Sequence, residues 1–218
     1  MFTHIPPVTK GLLIANGFVF VLQAFMAPLL RGLMLWPVLP PELAPYAPGF
    51  MPWQLLTYGF MHGNLTHLLF NMLALFMFGA QLEYVWGQRR FLAYYLVCVV
   101  GAGLCQLLVV SWGVRSGGMP FPTVGASGGV FGLLLAYGML FPNQRVMLLI
   151  PPVPMRARTL VIVYGVIELV LGITGTQSGV AHFAHLGGML FGWLLIRYWR
   201  GLPPFGGGRP RGPRVMRL

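Results

Sequence analysis

Acidic side chains are nearly missing from this chain: three Asp+Glu stand against fourteen Lys+Arg among 218 residues, and only 8% of residues are charged. That scarcity excludes an ordinary soluble domain, whose surface needs several times as many charges. With 57% hydrophobic residues and a mean hydropathy of +0.76, the chain reads as a membrane protein. A formal charge of +11 would suggest nucleic acid if the cations formed a patch on a soluble surface. They sit instead between apolar runs, where they act as topology signals and contacts for anionic lipid headgroups, so no nucleic-acid partner is expected. Cysteine is equally sparse. Cys98 and Cys105 share one apolar run, separated by about 10 Å along a helix, and so cannot pair; they read as packing residues. A cleavable leader is also lacking: only Lys10 precedes the first apolar run and no small-residue cleavage site follows, so that run is read as a retained span.

What is present is a series of apolar runs at 11–30, 65–82, 91–112, 127–141, 160–173 and 179–199, which predicts an all-α, six-helix polytopic bundle. With the amino terminus inside, only Arg31 and Arg115 fall on the outer side, a strong positive-inside bias that puts both termini in the cytoplasm. Residues 1–200 form one membrane domain in this reading, and the Pro/Gly-rich residues 201–218 a disordered basic cytoplasmic tail. Between the first two runs lies a proline-broken apolar loop carrying Trp36, Tyr46, Trp53 and Tyr58, expected to lie partly in the membrane interface. The run at 127–141 gives only about 22 Å of helix, too short for about 30 Å of hydrocarbon, so the segment before it must dip inward and Ser127 begins a helix below the outer surface.

Polar residues at membrane depth need a reason. In the last run His185, Gly188 and Gly192 lie on one helical stripe, and in the fourth run Ser127 adjoins Gly128 and Gly132, a matching small-residue groove. These two runs point the same way, so Ser127 and His185 fall at similar depths on touching helices, as a serine nucleophile and its general base require. Each alone reads as structural; together they favour catalysis. Phe131, one turn after Ser127, is placed to pack beside His185, although ordinary core packing explains it equally well. His182 is the second choice of base. In "HGNLTHLLFN", His67 and Asn71 share a helical face behind His62, and with the Ser127 N–H they can supply donors to an oxyanion. A three-histidine metal site is the competing reading, weakened because no acidic or thiolate partner accompanies them at ligand spacing. Glu83, at the cytoplasmic end of the second run beside Arg89 and Arg90, is expected to make a structural hydrogen bond or ion pair, and Glu168 to be an interior hydrogen-bonding group. No aspartate is placed to orient His185, which makes the expected unit a dyad oriented by helix and ring packing.

The chain resembles the rhomboid intramembrane serine proteases of the six-span prokaryotic type. "GASG" at 125–128 matches their G-x-S-G motif, "AHLGGMLFG" their A-H-x-x-G-x-x-x-G motif, and "HGNLTHLLFN" their histidine, histidine and asparagine spacing. The resemblance implies Ser127 as nucleophile, His185 as base, and His67 and Asn71 as oxyanion donors, with Gly125, Gly128, Phe131, Gly188, Gly192 and His62 supporting them. It implies no metal or other cofactor, transmembrane proteins as substrates, a bilayer setting in a prokaryotic inner membrane, and an active site opening to the outer face. Substrate entry would be gated around the fifth span and the last outer loop. Gln54, after Trp53, departs from the arginine frequent at that place. Competing readings are a non-proteolytic relative that binds membrane segments, argued against by the intact Ser127 and His185, and a small transporter with a histidine and Glu168 proton path, for which no internal repeat is found.

Overall fold

A computed structural model describes residues 4–147, 152–175 and 179–205. The apolar runs become helices because hydrocarbon offers no partner for backbone N–H and C=O groups, leaving the internal ladder as the way to satisfy them. The helices are α1 (Pro7–Leu30), the short α2 (Gln54–Thr57), α3 (Leu65–Ala74), α4 (Ala80–Trp86), α5 (Gln88–Arg115), α6 (Ser127–Leu140), α7 (Ala157–Thr174) and α8 (His182–Trp199). A π-helical turn, Leu75–Gly79, joins α3 to α4 as one column. Helices therefore stand at all six expected stretches. Among the described residues, four stretches, Pro7–Leu33, Leu65–Trp86, Gln88–Arg115 and Ala157–Thr174, are long and apolar enough to cross a membrane. The protein is an integral membrane protein with a helical polytopic fold.

The bundle is organised around α5, which packs chiefly on α8, while α6 lies against both. Small residues set these distances. Cys98 fits against Gly132 and Gly192, and Cys105 against Gly187, which gives both thiols the packing role expected of them. The Tyr94 hydroxyl, fully buried, donates to the Gly132 carbonyl at 2.8 Å. Most of the exposed side chains of α7 are apolar, as suits a lipid-facing helix.

Glu83 has the structural hydrogen-bonding role expected of it, with its partners on α1: its carboxylate accepts from the Val8 N–H (2.9 Å), the Thr9 N–H (2.7 Å) and the Thr9 hydroxyl (2.8 Å). It thereby caps α1, whose first turn offers unpaired donors and a positive dipole end. In the first long loop only part of the aromatic set lies at the surface. Tyr46 and Trp53 are exposed, whereas Trp36 and Tyr58 are buried in protein, because Trp36 Nε1 donates to Arg31 O and the Tyr58 hydroxyl to Val99 O. Residues 145–156 also hold a hairpin unforeseen from the sequence, β1 (Arg145–Met147) antiparallel to β2 (Pro154–Arg156) with Arg145 opposite Arg156. Of the expected basic tail, residues 206–218 lie outside the described residues, as do 176–178 in the loop expected to help gate entry.

Candidate active site

The short α6 begins at Ser127, and the segment before it enters the protein without regular structure. Part of its backbone pairs with the first loop. Leu35 and Thr123 exchange two backbone hydrogen bonds (3.0 and 2.8 Å), and the Gly125 N–H donates to Tyr58 O at 3.0 Å. Gln54 braces that loop in turn. Its Oε1 accepts from the Trp36 and Met51 N–H groups and its Nε2 donates to Gly32 O and Gly49 O, a use of every polar atom that a neutral amide allows.

Gly125 has φ 131°, a conformation that favours glycine, and a side chain there would collide with the site. An ideal Cβ on it would fall 2.8 Å from His67 Nε2 and 3.6 Å from Ser127 Oγ, so both polar groups crowd the space beside this glycine. From α8, His185 Nε2 lies 2.8 Å from Ser127 Oγ. The Phe131 ring stacks on the His185 imidazole with centroids 4.2 Å apart and planes 5° apart, which fixes the ring plane. Ser127 is half-buried and His185 buried.

The glycine grooves meet in part as expected. A Cβ on Gly188 would lie 1.9 Å from the Gly128 carbonyl oxygen, and one on Gly132 3.1 Å from the Gly188 oxygen, so these three glycines set the approach of α6 to α8. Gly192 does not face α6 in the same way. Its nearest neighbours are the Tyr94 hydroxyl and Cys98 on α5.

Asn64 caps α3 by accepting from the His67 N–H at 2.8 Å, which sets the start of the helix carrying His67 and Asn71. Asn71 is buried and spends one Nδ2 proton on His67 O, one turn back, leaving its second amide proton. His62 stands edge-on to His67 with centroids 5.1 Å apart, its backbone clasped reciprocally by the Gln23 amide. Burial, and secondarily the neighbouring His67, pushes the His62 imidazole down to about 4, so it supports the site as a neutral ring.

Behind His185 stands a carboxylate that the sequence did not connect with it. Glu168, on α7, places Oε2 2.7 Å from His182 Nδ1 and 2.9 Å from His185 Nδ1. The first contact is a hydrogen bond, giving Glu168 the interior role expected of it; the second is at ion-pair distance but off the line of the ring N–H. The available signal was two histidines one turn apart on one span and a single acid within the span before it. Potential ligand atoms of Glu168, His182 and His185 lie within 4.8 Å of one another. The 2.7 and 2.9 Å separations are hydrogen-bond spacings, shorter than the roughly 3.3 Å between two ligands of one tetrahedral zinc ion, so the cluster as placed suits shared protons better than a metal.

Comparison with known proteins adds an independent finding. The family model for the Rhomboid domain matches residues 49–201. RHOMBOID-like protein 4 of Arabidopsis thaliana is 34% identical over 146 residues, 66% of this chain and 33% of that protein. Rhomboid protease GluP of Bacillus subtilis is 31% identical over 142 residues, 65% of this chain and 25% of its own length. Rhomboid protease AarA of Providencia stuartii is 30% identical over 144 residues, 62% and 51% respectively. The matched region thus spans from a quarter to about half the length of these relatives.

Proposed function

This chain belongs to the rhomboid family, and on that premise we propose that it is a serine endopeptidase cutting peptide bonds in or near the transmembrane segments of other membrane proteins. The observation that carries the proposal is the 2.8 Å separation of Ser127 Oγ and His185 Nε2, made by two different helices at the mouth of an irregular segment. Two relatives are named as rhomboid proteases, which supports the same reaction class.

In the proposed mechanism His185 Nε2 takes the Ser127 hydroxyl proton as Oγ attacks the scissile carbonyl. The oxyanion that forms is met by the Ser127 N–H at the start of α6, by His67 and by the free amide proton of Asn71. His185 then gives its proton to the departing amine, and water releases the acyl group by the same steps. A substrate helix must unwind locally to offer its carbonyl, so residues of low helix propensity are expected at the cut. The setting proposed is a prokaryotic inner membrane, with the basic loops and both termini in the cytoplasm.

An activated serine is what separates this reading from a binding-only relative or a transporter. Labelling by a fluorophosphonate, with loss of label and of cleavage in Ser127→Ala and His185→Ala while His182→Ala keeps measurable activity, is the expected result. Full activity in a folded His185→Ala protein would remove His185 as the base.

A further inference from the structure

We propose that Glu168 is a positioning residue for His185: its carboxylate holds the imidazole as the Nδ1–H tautomer, leaving Nε2 as the acceptor toward Ser127, while His182 pins the same carboxylate oxygen. The inference rests on the serine-protease reading of the site.

The chain has three acidic residues, and Glu83 is committed to capping α1. Glu168 is buried on a span whose exposed side chains are mostly apolar, a placement that is costly unless the carboxylate has specific partners. Both partners are imidazoles, and both approach through Nδ1 to Oε2, at 2.7 Å for His182 and 2.9 Å for His185. An ionised carboxylate only accepts, so a ring nitrogen this close must carry the proton. That assigns Nδ1–H to His185, and Nε2, 2.8 Å from Ser127 Oγ, is then the unprotonated nitrogen. Phe131 fixes the plane of the ring by stacking, but a symmetric stack does not choose which nitrogen is protonated. Glu168 supplies that choice.

Geometry also explains why the carboxylate is shared. His182 is aligned for a hydrogen bond through Nδ1, and its buried Nε2 has no hydrogen-bond partner among the described residues, so Glu168 is its one such partner there. His185 Nδ1 lies off the hydrogen-bonding direction in the resting arrangement. When Nε2 takes the serine proton the ring becomes a cation beside a carboxylate, and a small rotation brings the second contact into line; resting catalytic contacts are often poorly aligned in this way. Among the described residues, the groups that face His185 are Ser127 and Phe131 from α6, Glu168 from α7, His182 on its own helix, and His67 from α3, with His62 behind His67. Glu168 is the one anion among them.

The test uses the full chain in phospholipid vesicles with a transmembrane substrate. Glu168→Gln keeps an acceptor oxygen and removes the charge. It is expected to lower kcat on the order of 10²-fold with KM little changed, and to move the acid limb of the pH–rate profile to lower pH, because the carboxylate no longer stabilises the imidazolium. A folded Glu168→Gln protein with an unmoved acid limb overturns the proposal, whether or not its rate falls, since lost packing alone would slow the reaction at every pH. Should that variant fail to fold, nitrogen-15 NMR of histidine-labelled wild-type protein decides the matter: protonation at His185 Nδ1 is expected, and protonation at Nε2 overturns the proposal. Failure of the protease reading would show separately, as absent fluorophosphonate labelling of Ser127, while the NMR result would still report the contact between Glu168 and His185.

Discussion

Adding a single methyl group at Gly188 tests the helix contact on which the site depends. An ideal Cβ there would stand 1.9 Å from the Gly128 carbonyl oxygen, 2.7 Å from its carbonyl carbon and 3.2 Å from its Cα. All three are backbone atoms of α6, so no side-chain rotation relieves the clash. Real Cβ contacts stay beyond 3.0 Å, and α6 and α8 must therefore part locally by about 1 Å. Gly128 adjoins Ser127, and Gly188 follows His185 by one turn, so the displacement falls on the 2.8 Å contact between the proposed nucleophile and base. Misplacement by about 1 Å costs on the order of 10²-fold in rate, and overpacking of this kind about 1–3 kcal/mol of stability. Gly188→Ala should accordingly lose about two orders of magnitude in both fluorophosphonate labelling and kcat, and Gly188→Val should lose more. Gly17→Ala, where a Cβ meets nothing within 4 Å, is the matched control and should behave as wild type. Folded fraction is measured by detergent gel filtration and circular dichroism. A folded Gly188→Ala protein that labels and cleaves at the wild-type rate would refute the contact and the site built on it.

Three other perturbations have expected outcomes. If His67 and Asn71 are the oxyanion donors proposed, His67→Ala and Asn71→Ala should each lower kcat by about 10²-fold with a smaller change in KM; steady-state kinetics on a transmembrane substrate separates this from a binding role. Glu83→Gln removes the charge that accepts from Val8 and Thr9, so thermal unfolding in detergent should show a loss of about 1–3 kcal/mol, with activity per folded molecule retained. His62, held near 4 against an ordinary 6.5, binds its proton less readily when folded than when unfolded. Its contribution to stability is thus complete above pH 6.5 and is lost as pH falls toward 4, and His62→Gln should flatten that part of the Tm profile relative to wild type.

The legible parts of the fold are those encoded at short range. Apolar runs placed the helices because span length is fixed by the bilayer, and the periodicity of Gly128, Gly132, Gly188 and His185 indicated which faces of α6 and α8 meet. Gly192 shows where periodicity stops: it lies on the right stripe, but the side chain opposite is Tyr94 of α5, a partner that sequence spacing does not identify. Glu168 escaped for the same reason. Its burial follows from its chemistry, but its contact with His182 and His185 depends on how α7 leans against α8. The first loop was the least legible, since Trp36 and Tyr58 have the amphipathic rings of interfacial residues and are instead enclosed by backbone partners distant in sequence.

That loop also bears on the depth expected for Ser127, the proposed nucleophile. With 14 residues, α6 extends only about 21 Å, well short of the hydrocarbon thickness, and the difference has to be made up by non-helical backbone. Such backbone is stable at membrane depth only when protein or trapped water satisfies its polar groups. Here the partners come from the first loop: Leu35 pairs with Thr123, and Tyr58 O takes the Gly125 N–H two residues before Ser127. Tyr58 is itself tied to α5 through Val99 O, and Gln54 fastens both ends of the loop through four hydrogen bonds. A neutral amide suits this position because the groups around it are two N–H donors and two carbonyl acceptors; a guanidinium, which only donates, would leave the Trp36 and Met51 N–H groups without an acceptor. The loop therefore acts as a frame for the irregular segment that leads into α6, where Ser127 meets His185.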